Sequence, residues 1–131
     1  MTMLDPQPDT TLSSVRFDLD GFGRAIELND LSVLIAAYAD DAEVRLTDPD
    51  TPPMAPRVLR GRAAVADWLR ADTRADCSRR VVRMVDGLDR VAYSEERQYA
   101  DGTHEIAAST AEVRNGRIHM QHTVLVWDRW E

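Results

Sequence analysis

Val15, Phe17, Leu19, Phe22, Ile26 and Leu28 recur at mixed three- and four-residue spacings, the apolar stripe of an amphipathic helix that Ser13 or Ser14 can cap. Asn29 suits a left-handed helix end and Asp30 suits the next N-cap, so a second helix, LSVLIAAYA, follows around a sharp corner. The pattern then changes period. DAEVRLT alternates as a strand does, with Val44 and Leu46 on one face. DPDTPPMAP interrupts it with four prolines, which cannot join a central ladder and mark a loop or lid. After a short extended VLR, Gly61 opens a third helix, on which Ala64, Val65, Trp68 and Leu69 form one stripe.

The second half reads as a meander. RRVVRMV, RVAYSEERQY, THEIAASTAEV and RIHMQHTVLVW are strand-like, and Asp86-Gly87, Asp101-Gly102 and Asn115-Gly116 separate them as hairpin signals. Helices followed by antiparallel strands make an α+β fold. If the last two turns each hold two residues, the register places Val81, Arg83, Val85, Ala92, Ser94, Glu96, Glu105, Ala107, Ser109, Ala111, Met120, His122, Val124 and Val126 on one face. These side chains are small and sparsely polar, and facing the helices they leave a hollow for a ligand. The other face carries Tyr93, Glu95, Arg97, Tyr99, His104, Gln121 and Trp127, bulky and half charged, as a surface against a second subunit is. A β-bulge in the last strand would reverse every residue after it and bring His119 and His104 forward instead.

Composition narrows the function. With 131 residues the chain suits one domain, divided into a flexible tail over residues 1–12 and a domain over 13–131. A net charge of −7, with no run of Lys or Arg, argues against nucleic acid and anionic membrane as partners. Cys77 is the single cysteine, so no intrachain disulfide and no thiol zinc site are expected. No apolar stretch approaches a membrane span and the opening residues lack the features of a secretory signal, so a cytoplasmic location is expected.

NDLSVLIAAYADDAEVRL, LRGRAAVADWLR and NGRI before the last strand, in that order and with the meander behind them, resemble the nuclear transport factor 2-like superfamily, above all its SnoaL-like and ketosteroid isomerase-like members. The resemblance spans residues 14 to 127 and implies a cone-shaped, cystatin-like fold: three N-terminal helices on a curved antiparallel sheet. It also implies a pocket inside the cone and a homodimer through the sheet's outer face. Asp48-Pro49 resembles the isomerase base but sits two residues late. The position of the isomerase tyrosine holds Phe22, and the position of its protonated aspartate falls near Ser109. The dehydratase histidine is not matched, because that place reads Asp76-Cys77-Ser78-Arg79-Arg80. SnoaL-like cyclases use a carboxylate and a histidine on the later strands, for which Glu96 and His122 supply the groups.

The candidate catalytic residues are therefore His122, Glu96 and Asp48, with Phe22, Tyr38, Trp68, Arg83, Ser94, Ser109 and Met120 around the ligand. Each has a plainer role as well. His122 can be a buried hydrogen-bonding residue, Arg83 and Glu96 a structural pair, Asp48 a turn opener, and Tyr38 and Trp68 core. No metal and no cofactor are expected. Two functions stand: an enzyme moving protons on a small apolar carbonyl or polyketide-like compound by cyclisation, isomerisation or dehydration, and a non-catalytic ligand-binding or dimerisation module.

Overall fold

Asp18 begins the first helix, since its carboxylate Oδ1 accepts from the Gly21 amide at 2.9 Å and so satisfies a helix donor that has no partner inside the helix. The computed structural model describes residues 15–51 and 53–129, so the tail over 1–12 and the expected caps Ser13 and Ser14 lie outside the described residues. Helix α1 (Leu19–Leu28) starts later than the apolar stripe suggested and buries Leu19, Phe22, Ala25 and Ile26. Asn29 ends it in the left-handed region, φ 54°, and Asp30 caps α2 (Leu31–Ala36). The second helix is shorter than expected. Tyr38 already opens strand β1 (Tyr38–Thr47), which β2 (Arg57–Arg60), α3 (Arg62–Thr73), β3 (Cys77–Asp86), β4 (Arg90–Tyr99), β5 (Thr103–Arg114) and β6 (Arg117–Arg129) follow.

The strands form one curved sheet in the order β2-β1-β6-β5-β4-β3. The α+β class stands, but the sheet is mixed rather than wholly antiparallel, because β1 runs parallel to β6. α1 packs on β3, and α3 on β1 and β2, so the helices cover one face of the sheet. The Phe22 ring lies against Phe17, Tyr38 and Tyr93 at centroid distances of 5.3, 6.2 and 5.5 Å, closing the narrow part of the core.

Three details of the backbone decide which side chains enter the cone. The β4–β5 loop holds three residues, because Gln98 pairs with His104. Gly102 alone takes positive φ there, 91°, and donates to the Tyr99 carbonyl, whereas a two-residue turn would need positive φ at Asp101 as well. At Asn115-Gly116 both residues do have positive φ, 51° and 77°, and the expected tight turn forms. Just beyond it, Val113 pairs with Ile118 but Glu112 with Met120, leaving His119 as the extra residue of a bulge. A similar shift falls between Val81 and Arg83 in β3.

A one-residue shift reverses a strand's faces. On β4 the inward residues are therefore Val91, Tyr93, Glu95 and Arg97, and on β6 they are Gln121, Thr123 and Leu125. The expected inward set holds on β5, where Ala107, Ser109 and Ala111 are buried. It is reversed for Ala92, Ser94, Glu96, Met120, His122, Val124 and Val126, and for Arg83 and Val85 past the β3 bulge.

Candidate active site

Inside the cone is a cavity of about 60 Å³. Phe22 and Ile26 from α1, Leu34 from α2 and Trp68 and Leu69 from α3 make its apolar wall, and Leu125 and Ala107 complete it from the sheet. Two sets of polar side chains stand on this lining.

The first set is ionic. Asp72, in the last turn of α3, pairs with Arg79 of β3 and Arg97 of β4, and both arginines also pair with Glu95 of β4. Arg97 Nε donates to Glu95 Oε2 at 2.7 Å and its Nη2 to Glu95 Oε1 at 3.3 Å. Toward the helix, its Nη1 and Nη2 donate to the two oxygens of Asp72 at 2.8 and 3.0 Å. A further bond runs from Nη1 to Glu105 Oε1 at 3.1 Å, an oxygen that also accepts from the Tyr99 hydroxyl at 3.2 Å. Arg79 Nη1 bridges the same two carboxylates, at 3.0 Å to Asp72 and 3.3 Å to Glu95, and its Nη2 donates to the Asp72 backbone carbonyl. The Arg79, Glu95 and Arg97 side chains are only 3, 6 and 8% exposed. The surrounding carboxylates, Glu95 and Asp72 above all, hold Arg97 charged despite its burial by raising its pKa.

The second set is neutral. The Tyr38 hydroxyl donates to Gln121 Oε1 at 2.7 Å, Gln121 Nε2 donates to Thr123 Oγ1 at 2.9 Å, and that oxygen lies 2.7 Å from Ser109 Oγ. Tyr93 stands beside this set, opposite Ser109 on the neighbouring strand. Burial pushes both tyrosines above their ordinary pKa, so their hydroxyls stay protonated and able to donate. Tyr93, Ser109 and Thr123 form one row across the sheet, and Glu95 and Ala107 lie in the next. Two inward rows are about 7 Å apart, so a small molecule between them touches ionic and neutral groups together.

Among the residues expected from sequence, Phe22, Tyr38, Trp68 and Ser109 line this cavity. The others are corrected. His122 is on the outer face, its Nε2 3.2 Å from Thr47 Oγ1, because the bulge at His119 turns it round. The three-residue β4–β5 loop turns Glu96 and Ser94 outward, and Glu96 pairs with Arg80 at 3.1 Å rather than with Arg83. Arg83 is exposed past the β3 bulge, and Met120 lies outward opposite Glu112. Asp48 opens a turn, exchanging backbone bonds with Thr51 and accepting from the Asp50 amide at 2.8 Å. The expected Glu96–His122 pair is thus not in the cone.

Sequence reasoning missed Asp72, Arg79, Glu95, Arg97, Gln121 and Thr123. One signal was present: Val91 and Tyr93 are the large apolar residues of β4, and burying them gains more than burying Ala92 and Ser94, which sets Glu95 and Arg97 inside by alternation. Among the described residues no group of three or more His, Cys, Asp or Glu is arranged to hold a metal, and no helix is long and apolar enough to cross a membrane.

No family model and no curated protein matches the chain. Solved structures do. An NTF2-like protein of unknown function from Mesorhizobium loti is 17% identical, with 95% of this chain and 98% of that one covered at a TM-score of 0.71. A protein provisionally named a ketosteroid isomerase, from Kribbella flavida, is 16% identical over 99% of this chain and 84% of its own, TM-score 0.61. An LEH-like epoxide hydrolase of M. tuberculosis is 17% identical over 84% and 79%, TM-score 0.59. At such identities the likeness is one of fold, and with the helices, sheet order and interior cavity it identifies the chain as a protein of the nuclear transport factor 2-like fold.

Proposed function

We propose that this protein is an enzyme that takes a small, largely apolar, oxygen-bearing molecule into the cone and moves a proton on it, using its own side chains as acid and base. The observation that carries this is the pair of carboxylates, Asp72 and Glu95, clamped by Arg97 in the wall of a cavity whose other wall is apolar. Clamping fixes a base within reach of a bound carbon acid, and the Tyr93 hydroxyl, kept protonated by burial, offers a donor for the oxygen on which charge develops. Isomerisation, cyclisation and dehydration of a carbonyl compound can each use a fixed base with a nearby hydroxyl donor. Two of the similar folds above are described as an isomerase and a hydrolase, which supports an enzymatic use of such a cone.

One observation favours the second reading, a non-catalytic binding module. At about 60 Å³ the cavity has room for a few water molecules and lies well below the ~300 Å³ at which pockets for drug-sized ligands begin. The substrate is therefore compact, or Trp68 swings to admit it. Incubation of acetone and cyclopentanone in D2O, with α-deuteration followed by NMR, tests the proposal. Wild-type protein accelerates exchange over buffer and Asp72→Asn lowers that rate; exchange at the buffer rate for every ketone in a panel of increasing size leaves the module.

The exposed outer face carries Val85, Val124 and Val126, and we propose that a second copy of the chain covers it.

A further inference from the structure

The wall of the cavity is fixed almost throughout. Phe22, Ile26, Leu34 and Tyr38 belong to the buried core, and Asp72, Arg79, Glu95 and Arg97 are held by their ion pairs. Two lining side chains differ. Trp68 and Leu125 are half-buried, so each reaches both the cavity and solvent, and neither has a hydrogen bond or ion pair among the described residues. A side chain packed on every side cannot turn without opening a void, whereas one with a face in water changes rotamer at small cost.

Exposure places the mouth of the cone at these two residues. Along the inward row of β6, Gln121 is 1% exposed, Thr123 3%, Leu125 half-buried and Trp127 39%. On α3 the inward stripe runs from Val65 and Leu69, both buried, to Asp72, whose side chain is 20% exposed. The opening therefore lies between the end of α3 and the end of β6. Trp68 stands one helical turn before Asp72, and residues four apart on a helix share a face, so the indole and the clamped carboxylate line one side of it.

At about 60 Å³ the cavity holds a few water molecules, and anything wider enters only by displacing a side chain of the wall. Trp68 is the larger of the two that can give way. We infer that Trp68 is the specificity-determining residue of the cone: its indole is a gate at the mouth, whose rotation admits a ligand and whose bulk sets the largest size admitted. The inference rests on the reading of the cavity as a substrate site. Trp68 takes no part in proton transfer; it decides which molecules come within reach of the carboxylates.

Cyclopentanone and 1-tetralone carry the same polar group on one ring and on two fused rings, so they separate entry by size. Each is titrated into 15N-labelled full-length protein, with the Ala107 and Thr123 amides reporting from the cavity wall. Wild-type protein should bind 1-tetralone on the order of tenfold or more weaker than cyclopentanone, and Trp68→Ala should remove most of that difference. Line shapes should also show cyclopentanone entering and leaving Trp68→Ala faster, the signature of a lost gate. Trp68→Leu, which keeps an apolar side chain on the α3 stripe, carries the same test if the alanine variant does not fold. Leu34→Ala enlarges the cavity from its buried wall and leaves the mouth alone, so it should not speed entry. Unchanged discrimination in the Trp68 variants, while cyclopentanone still moves the Ala107 and Thr123 signals, overturns the gate and leaves the cavity as a ligand site. Exchange as fast in Leu34→Ala as in Trp68→Ala also overturns it, because a loosened core then explains the gain. If neither ketone moves any cavity signal in wild type or in the Trp68 variants, the substrate-site reading fails and this inference with it.

Discussion

Replacing Arg97 by Met removes one guanidinium and leaves three carboxylates, Asp72, Glu95 and Glu105, sharing Arg79 and the Tyr99 hydroxyl. Were Arg97 an exposed ion-pair partner, its loss would cost ~0–1 kcal/mol. With the Arg97 and Glu95 side chains 8 and 6% exposed, the relevant case is a buried pair broken from one side, which costs about 3–5 kcal/mol. That is a large part of the ~5–15 kcal/mol that holds a domain folded. An unfolding entropy of ~2.1 cal/mol/K per residue over 131 residues gives ~0.28 kcal/mol/K, so the melting temperature falls by roughly 11–18 °C. Thermal and guanidinium unfolding followed by circular dichroism measure this. A double-mutant cycle with Glu95→Gln shows coupling, because the second change removes one of the charges that the first orphaned. A loss below ~1 kcal/mol, or strict additivity, refutes the claim that Arg97 clamps buried carboxylates.

The tyrosines give a pH prediction. Burial raises the folded pKa of Tyr38 and Tyr93 above the unfolded value near 10, so their contribution is whole below pH ~10 and fades as pH rises toward the folded values. Each costs up to ~1.4 kcal/mol per pH unit there, and absorbance at 295 nm should show both ionising only as the protein unfolds. Tyr38→Phe strands the Gln121 carbonyl in the core and should lower stability by ~1–3 kcal/mol in a denaturant titration, with the sheet's backbone signals retained in NMR spectra. If a second copy covers the outer face, sedimentation will give twice the chain mass, and Val124→Glu, placed on that face, will return it to one.

The elements were legible because they rest on local chemistry. Asn29 and Asp30 placed the helix corner, Asn115-Gly116 placed the last turn, and the four prolines placed the loop. The site was not legible, because it depends on parity. Asp101-Gly102 serves a two-residue turn and a three-residue loop equally well, and the choice decides whether Glu95 or Glu96 enters the cone. The bulge at His119 has no local signature, since nothing in Ile-His-Met-Gln demands an extra residue, yet it sends His122 outward. β5 kept its expected face because Ala107, Ser109 and Ala111 are the small residues of a strand that lies between the two shifts. Phe22 and Trp68 reach the cavity from helices whose apolar stripes were read correctly, whereas Tyr38, expected on the second helix, reaches it from the first residue of β1.

Glu95 and Glu96 are neighbours in the chain and stand on opposite faces of the sheet, so comparing them tests the account most directly. The measurement is the rate of ketone α-deuteration by Glu95→Gln and Glu96→Gln beside wild type. The account predicts a loss on the order of 10²-fold or more for Glu95→Gln, the scale of a lost general base, and a rate within about twofold of wild type for Glu96→Gln. Loss of exchange in Glu96→Gln with Glu95→Gln unaffected would contradict it, and would put the chemistry on the outer face.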